Sequence, residues 1–72
     1  MTIITPTELQ NFAADSDGFD YGYDARILFI GEGFKRLVYC VESRKFVIMD
    51  ENGRDMYETF DVNDAAETYN VL

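Results

Sequence analysis

KRLVYCVESRKFVIMDENGRDMYET, residues 35–59, decides the fold. Residues 35–42 and 45–51 are rich in Val, Ile, Phe and Tyr and end in charge, the pattern of neighbouring strands. Ser43 and Arg44 read as a tight connection, which sets Glu42 against Lys45, Val41 against Phe46, Tyr39 against Ile48 and Val38 against Met49. Those pairs agree in chemistry. Asn52-Gly53 is the strongest hairpin signal in the chain, because both residues tolerate the positive φ that a type I′ turn demands. It predicts a further strand over residues 54–59, with Glu51 facing Arg54, Asp50 facing Asp55, Met49 facing Met56 and Ile48 facing Tyr57. Two opposed carboxylates repel in that register, unless solvent screens them or a cationic partner is awaited.

Upstream, residues 25–32 (ARILFIGE) are continuously apolar at the centre, as in a strand covered on both faces or interior to a sheet. Gly31-Glu32-Gly33 marks the turn that follows. Further back, Thr5-Pro6-Thr7-Glu8 is a helix start, with Thr5 as cap, Pro6 at the first position and Glu8 three residues on. Ile4 and Leu9 sit at the staple positions, and Leu9, Phe12 and Ala13 give the apolar stripe of a helix over residues 6–14. Residues 15–24 (DSDGFDYGYD) read as a loop. Downstream, Asp61 or Asn63 caps a last helix whose stripe is Val62, Ala65, Ala66 and Tyr69. Residues 1–72 are thus expected to form a single α+β domain, a four-stranded antiparallel meander flanked by a short N-terminal and a short C-terminal helix.

Alternation along the strands puts Leu37, Tyr39, Val41, Phe46, Ile48 and Tyr57 on one face, and Val38, Cys40, Val47, Met49 and Met56 on the other. Both faces are apolar, yet two short helices cover only one. The smaller side chains around Val38, Cys40 and Val47 favour close approach of the helices there. The tyrosine-bearing face is then left for solvent, a partner or a second copy.

Charge is segregated along the chain. Residues 1–25 carry Glu8, Asp15, Asp17, Asp20 and Asp24, residues 55–72 carry Asp55, Glu58, Asp61, Asp64 and Glu67, and neither segment has a base. All six bases lie between, and the net charge is −8. Such a field repels nucleic acid and anionic membrane and attracts basic protein surfaces. Lys35, Arg36, Arg44 and Lys45 flank predicted turns, where they limit edge pairing rather than bind phosphates.

Seventy-two residues make one small domain, and 47% hydrophobic content with 15% aromatic separates it from disordered acidic tails. A lone cysteine forms no internal disulfide and fits a reducing cytoplasm. The opening residues lack the pattern of a signal peptide, and the apolar runs are too short to span a bilayer, so a soluble cytoplasmic protein is expected. Without histidine, no His-based nucleophile or zinc site forms. Gly31-Glu32-Gly33 lacks the rest of a phosphate-binding loop. From Asp15, the calcium-loop pattern fails at Phe19, Asp20 and Arg26. No catalytic residue, metal ligand or cofactor is assigned, and an enzyme is not expected.

Phe19, Tyr21 and Tyr23, hinged by Gly18 and Gly22 among acids, have the composition of a binding loop. The candidate partner-binding residues are Asp15, Asp17, Asp20, Tyr21, Tyr23 and Asp24, together with Glu58, Asp61, Asp64 and Glu67. The expected partner is the basic surface of a nucleic-acid-binding protein or complex, with no direct contact to nucleic acid or membrane. In size, acidity and α/β make-up the chain resembles small phage or mobile-element inhibitors of the anti-CRISPR and anti-restriction type. That resemblance implies blockade of DNA binding by a bacterial defence complex in the host cytoplasm. The alternatives are a non-enzymatic adaptor or structural domain that homodimerises through its exposed sheet face, and an irregular calcium-responsive module over residues 15–24.

Overall fold

The computed structural model describes residues 3–17 and 25–72. In chain order they form α1 (Pro6–Asp17), β1 (Arg26–Glu32), β2 (Lys35–Cys40), β3 (Lys45–Asp50), β4 (Asp55–Thr59) and α2 (Val62–Val71). The strands make one antiparallel sheet in the order β1-β2-β3-β4. This is the α+β meander with a helix at each end that the sequence predicts.

Helix α1 starts as its residues require. The Thr5 hydroxyl accepts from the Glu8 amide at 3.2 Å and donates to the Glu8 carboxylate at 3.1 Å. The helix continues three residues past its predicted end at Ala14. Ser16 is buried, and Asp17 accepts a hydrogen bond of 2.9 Å from the Tyr39 hydroxyl, so tertiary contacts outweigh the turn preference of this stretch. In α2 the Asp61 carboxylate caps the amides of Asn63 (2.8 Å) and Asp64 (3.4 Å).

The turns differ from expectation in instructive ways. The β2–β3 connection takes four residues, 41–44, because Arg44 adopts φ +57° and its amide bonds the Cys40 carbonyl at 2.8 Å. Tyr39 therefore faces Phe46 and Leu37 faces Ile48, two residues away from the tight-turn register. A slip of two leaves every side chain on its original face. After β3 only Gly53 takes positive φ (+84°), and Asn52 does not, so the turn is not type I′. The Asp50 carboxylate accepts the amides of Asn52 and Arg54 at 2.8 and 2.9 Å. A register shift between Ile48 and Met49 then sets Asp55 opposite Met49, and the predicted Asp50–Asp55 opposition does not occur.

Strand β1 is an edge strand, not an interior one. A bulge between Leu28 and Ile30 turns both Phe29 and Ile30 toward the core, while Leu28, 56% exposed, lies on the opposite face. The bulge accounts for the unbroken apolar run without a second covering layer.

The helices cover the face opposite to the expected one. The main core joins Leu37, Tyr39, Phe46 and Ile48 of the sheet to Leu9 of α1 and Ala65, Ala66 and Tyr69 of α2. The small residues that permit close approach are on the helix, and large rings on the sheet fill the gap beneath. Phe12 meets Phe29 edge-on at 4.9 Å, and Tyr39 lies 5.1 Å from Phe46. Helix α1 sits over β1, α2 sits over β3 and β4, and the two pack against each other. Asn70 joins the two helical segments, accepting from the Ile4 amide at 3.0 Å and donating to the Ile4 carbonyl at 2.8 Å. Buried Lys35 donates to the Tyr69 carbonyl at 2.7 Å and lies over the Tyr69 ring, supplying the cation that the last turn of α2 lacks.

On the outer face Val38, Cys40 and Val47 form a second, smaller buried cluster, with Met49 packed against it. Arg26 pairs with Asp55 and Lys45 with Glu58 on this face. Among the described residues no helix is long and apolar enough to cross a membrane.

Candidate functional site

Residues far apart in sequence meet because the helices run antiparallel. Ile4, just before α1, is held by Asn70 near the end of α2, while Asp17, closing α1, is held by Tyr39 in the row shared with Phe46 and Thr59. Thr59 leads directly into the Asp61 cap. The last turn of α1 and the first turn of α2 therefore share one end of the sheet. Asp15 and Asp17 gather there with Asp61 and Asp64, and Glu67 follows one turn along α2.

These acids are not equivalent. Asp17 is tied to Tyr39, whose phenol is pushed up to about 12, first by burial and then by the Asp17 carboxylate. Asp61 is occupied as the cap of α2. Asp64 accepts from the Tyr57 hydroxyl, which, followed by the Thr59 hydroxyl, holds its carboxyl below the usual range. Asp15 and Glu67 are exposed, and no hydrogen bond or ion pair with a described residue engages them. Glu58 does not belong to this surface. It stands on the outer face of the sheet, 3.1 Å from Lys45. Asp20, Tyr21, Tyr23 and Asp24 lie outside the described residues, as does the calcium reading of that stretch beyond Asp17.

Glu8, the capping partner of Thr5 and not among the candidate residues read from the sequence, completes the helical layer. Among the described residues Glu8, Asp15, Asp17, Asp61, Asp64 and Glu67 give this layer six carboxylates; neither helix carries a base, and Lys35 of β2 reaches the layer from beneath, buried on the Tyr69 carbonyl. Over residues 25–60 six acids balance all six bases. Arg26, Arg36 and Lys45 belong to the outer face, Lys35 is buried, and Arg44 and Arg54 lie in turns. The acids of the two helices and of the α2 cap thus lie in the helical layer, whereas Asp55 and Glu58 of the second acidic segment lie on the outer face with Arg26 and Lys45.

Local energetics are mixed across this surface. Acids at the start of α2 interact well with its dipole, whereas Asp15 and Asp17 occupy the last turn of α1, which contains no base of its own. An exposed carboxylate of this kind accepts strong charge-assisted bonds from Lys or Arg. Among the described residues no group of three acids or cysteines is placed to hold a metal ion. No family model matches this chain, and neither a curated protein nor a solved structure matches it.

One feature of this layer escaped the sequence reading. A groove of about 300 Å³ lies between Pro6 and the outward side of α2, lined also by Asn63, Ala66, Glu67, Asn70 and Val71. Its signal in the sequence is that Val71 falls off the apolar stripe of α2, which leaves an aliphatic side chain with no core to enter.

Proposed function

We propose that this chain is an acidic binding protein that inhibits a nucleic-acid-handling protein or complex by occupying its basic nucleic-acid-binding surface. The observation that supports the reading is the helical layer, in which Glu8, Asp15, Asp17, Asp61, Asp64 and Glu67 lie on one side of the sheet while neither α1 nor α2 carries a base. A layer of one sign raises the rate of encounter with a basic groove and makes association salt-sensitive over a Debye length of about 8 Å. The resemblance to phage and mobile-element inhibitors directs the search to bacterial defence complexes such as CRISPR–Cas.

The test is capture of complexes from a bacterial lysate on the immobilised protein, followed by competition with duplex DNA and by DNA-binding assays on what is captured. Blocked DNA binding, relieved by Asp15→Lys combined with Glu67→Lys, is the expected outcome. Captured complexes that still bind DNA normally would refute it. Self-association is the second reading, favoured by Leu28, which stands exposed on the outer face of the edge strand. A mass that rises with protein concentration and is indifferent to added basic partners would select it.

A further inference from the structure

We propose that Asn52 is a site of spontaneous covalent change, deamidation through a cyclic imide closed by the Gly53 nitrogen, and that Asp50 sets its pace by holding the turn. The inference stands apart from the function proposed above. The side-chain carbonyl carbon of an asparagine lies within five-membered-ring reach of the next backbone nitrogen, so the two react as parts of one molecule. Here that nitrogen belongs to a glycine, which lacks the side chain that hinders closure elsewhere. The space around it is open, since even a Cβ built on Gly53 would meet nothing within 4 Å. Asn52 is exposed, and no described residue bonds its carboxamide; its backbone amide alone is engaged, by Asp50. The other asparagines lack this combination. Asn11, Asn63 and Asn70 stand within helices, before Phe12, Asp64 and Val71, and Asn70 commits its carboxamide to Ile4.

The chemistry needs only water and hydroxide. Hydroxide takes the Gly53 amide proton, the nitrogen bonds to the Asn52 side-chain carbonyl carbon, and the carbon-nitrogen bond of the carboxamide breaks. Ammonia leaves with a proton taken from water, which regenerates hydroxide. Water then opens the imide at either carbonyl, giving aspartate or, with the main chain rerouted through the side chain, isoaspartate. Asp50 opposes the first of these events. Its carboxylate accepts the amides of Asn52 and Arg54 at 2.8 and 2.9 Å, its carbonyl accepts the Gly53 amide at 3.1 Å, and its own amide donates to the Arg54 carbonyl at 2.9 Å. The attacking nitrogen is thus tied to an acceptor on the residue that pins both flanks of the turn. Once formed, isoaspartate lengthens the main chain between two amides that share one Asp50 oxygen, so the latch no longer closes in its native form. Either product also adds a negative charge beside Asp50 and Glu51.

The experiment incubates the folded protein for weeks in mildly alkaline buffer and reads intact mass, peptide maps and enzymatic methylation of isoaspartate. Expected are a gain of one mass unit confined to the peptide that contains Asn52, a pair of products of equal mass, and no gain in Asn52→Ser. Asp50→Ala should convert several-fold faster than wild type. Wild type unfolded in urea sets the rate of the open turn, whether or not Asp50→Ala folds fully. In the isolated isoaspartate form the Arg54 amide should exchange faster with solvent than in the parent protein. Conversion in urea with none in the folded protein, or an earlier gain at Asn11, Asn63 or Asn70, would overturn the site. A folded wild type that converts as fast as the urea-unfolded chain would overturn the part assigned to Asp50.

Discussion

Arg26, on the first strand of the sheet, holds Asp55, on the last, through two hydrogen bonds of 2.8 and 3.1 Å, and passes 3.7 Å from the Met49 sulfur on the way. Asp55 is the acid that appears misplaced when the β3–β4 hairpin is read from sequence. The bulge moves it away from Asp50, and its cationic partner is supplied from within the chain.

That pair predicts an acid-sensitive contribution to stability. The Arg26 bond is the main cause that lowers the Asp55 pKa, so the stabilisation is complete above the ordinary carboxylate value of about 3.9 and is lost as pH falls through the lowered native value. Both side chains are about a third exposed, so the coupling in a double-mutant cycle of Arg26→Gln and Asp55→Asn should be modest, roughly 0.2–1 kcal/mol. Urea unfolding at pH 7 and pH 2.5 measures it. A coupling that is zero at pH 7, or unchanged at pH 2.5, would show that the two residues are merely adjacent.

Asn70 is expected to matter more than any exposed charge. Asn70→Ala removes both bonds to Ile4 and leaves a part-buried amide and carbonyl without partners, at a cost of about 1–3 kcal/mol. Asn70→Asp keeps the acceptor for the Ile4 amide but loses the donor and adds an anion near the end of α2, so it should fall between wild type and Asn70→Ala. Amide exchange at Ile4, measured beside global unfolding, separates local release from general weakening. Equal protection of Ile4 in all three proteins would refute the clamp.

The fold was legible wherever local chemistry had one answer. Thr5-Pro6-Thr7-Glu8 marked the start of α1, Asp61 the cap of α2, and Gly53 a turn that only a residue tolerating positive φ can make. Illegible were the features settled by three-dimensional fit. Residues 15–17 stay helical because Tyr39 reaches Asp17, and β1 looks interior because a bulge turns Phe29 and Ile30 the same way. The choice of sheet face was misread because small size was sought on the strands, whereas Ala65 and Ala66 provide it on the helix. For the site, the charge pattern along the chain marked the acidic segments, but not that Asp55 and Glu58 of the second would lie on the outer face with Arg26 and Lys45. It could not sort Asp61 and Asp64, which have structural duties, from Asp15 and Glu67, which have none.

Tyr39 predicts a separate alkaline limb. Its native pKa of about 12 stands above the ordinary phenol value of about 10, raised first by burial and then by Asp17. A raised native pKa gives stabilisation that is full below about pH 10 and lost as pH climbs through about 12. Tyr57 and Tyr69 are raised as well, so the Tyr39 phenol must be followed by its own ring signals in an NMR titration, where it should ionise near pH 12. Asp17→Asn should bring it down and shift the alkaline unfolding midpoint with it; a phenol that titrates unchanged in Asp17→Asn would show that burial alone sets the value.

Asp15 offers the sharpest separation of stability from binding. It sits exposed in the last turn of α1, where the helix dipole opposes a negative charge and no described residue compensates it. Asp15→Lys reverses that interaction and relieves part of the repulsion within a chain of net charge −8, so it should stabilise the protein by about 0.3–1 kcal/mol and raise its melting temperature by a few degrees. The same substitution removes a carboxylate from the layer proposed to face a basic groove, so association with a basic partner should slow and lose salt sensitivity. Asp61→Lys is a poor substitute, since losing the cap costs about 0.5–2 kcal/mol and confounds the two effects. Thermal unfolding and stopped-flow association on one preparation of Asp15→Lys read both quantities. A gain in stability with an undiminished association rate would place the contact elsewhere. A loss of stability would mean that Asp15, like Asp17, has a structural duty after all.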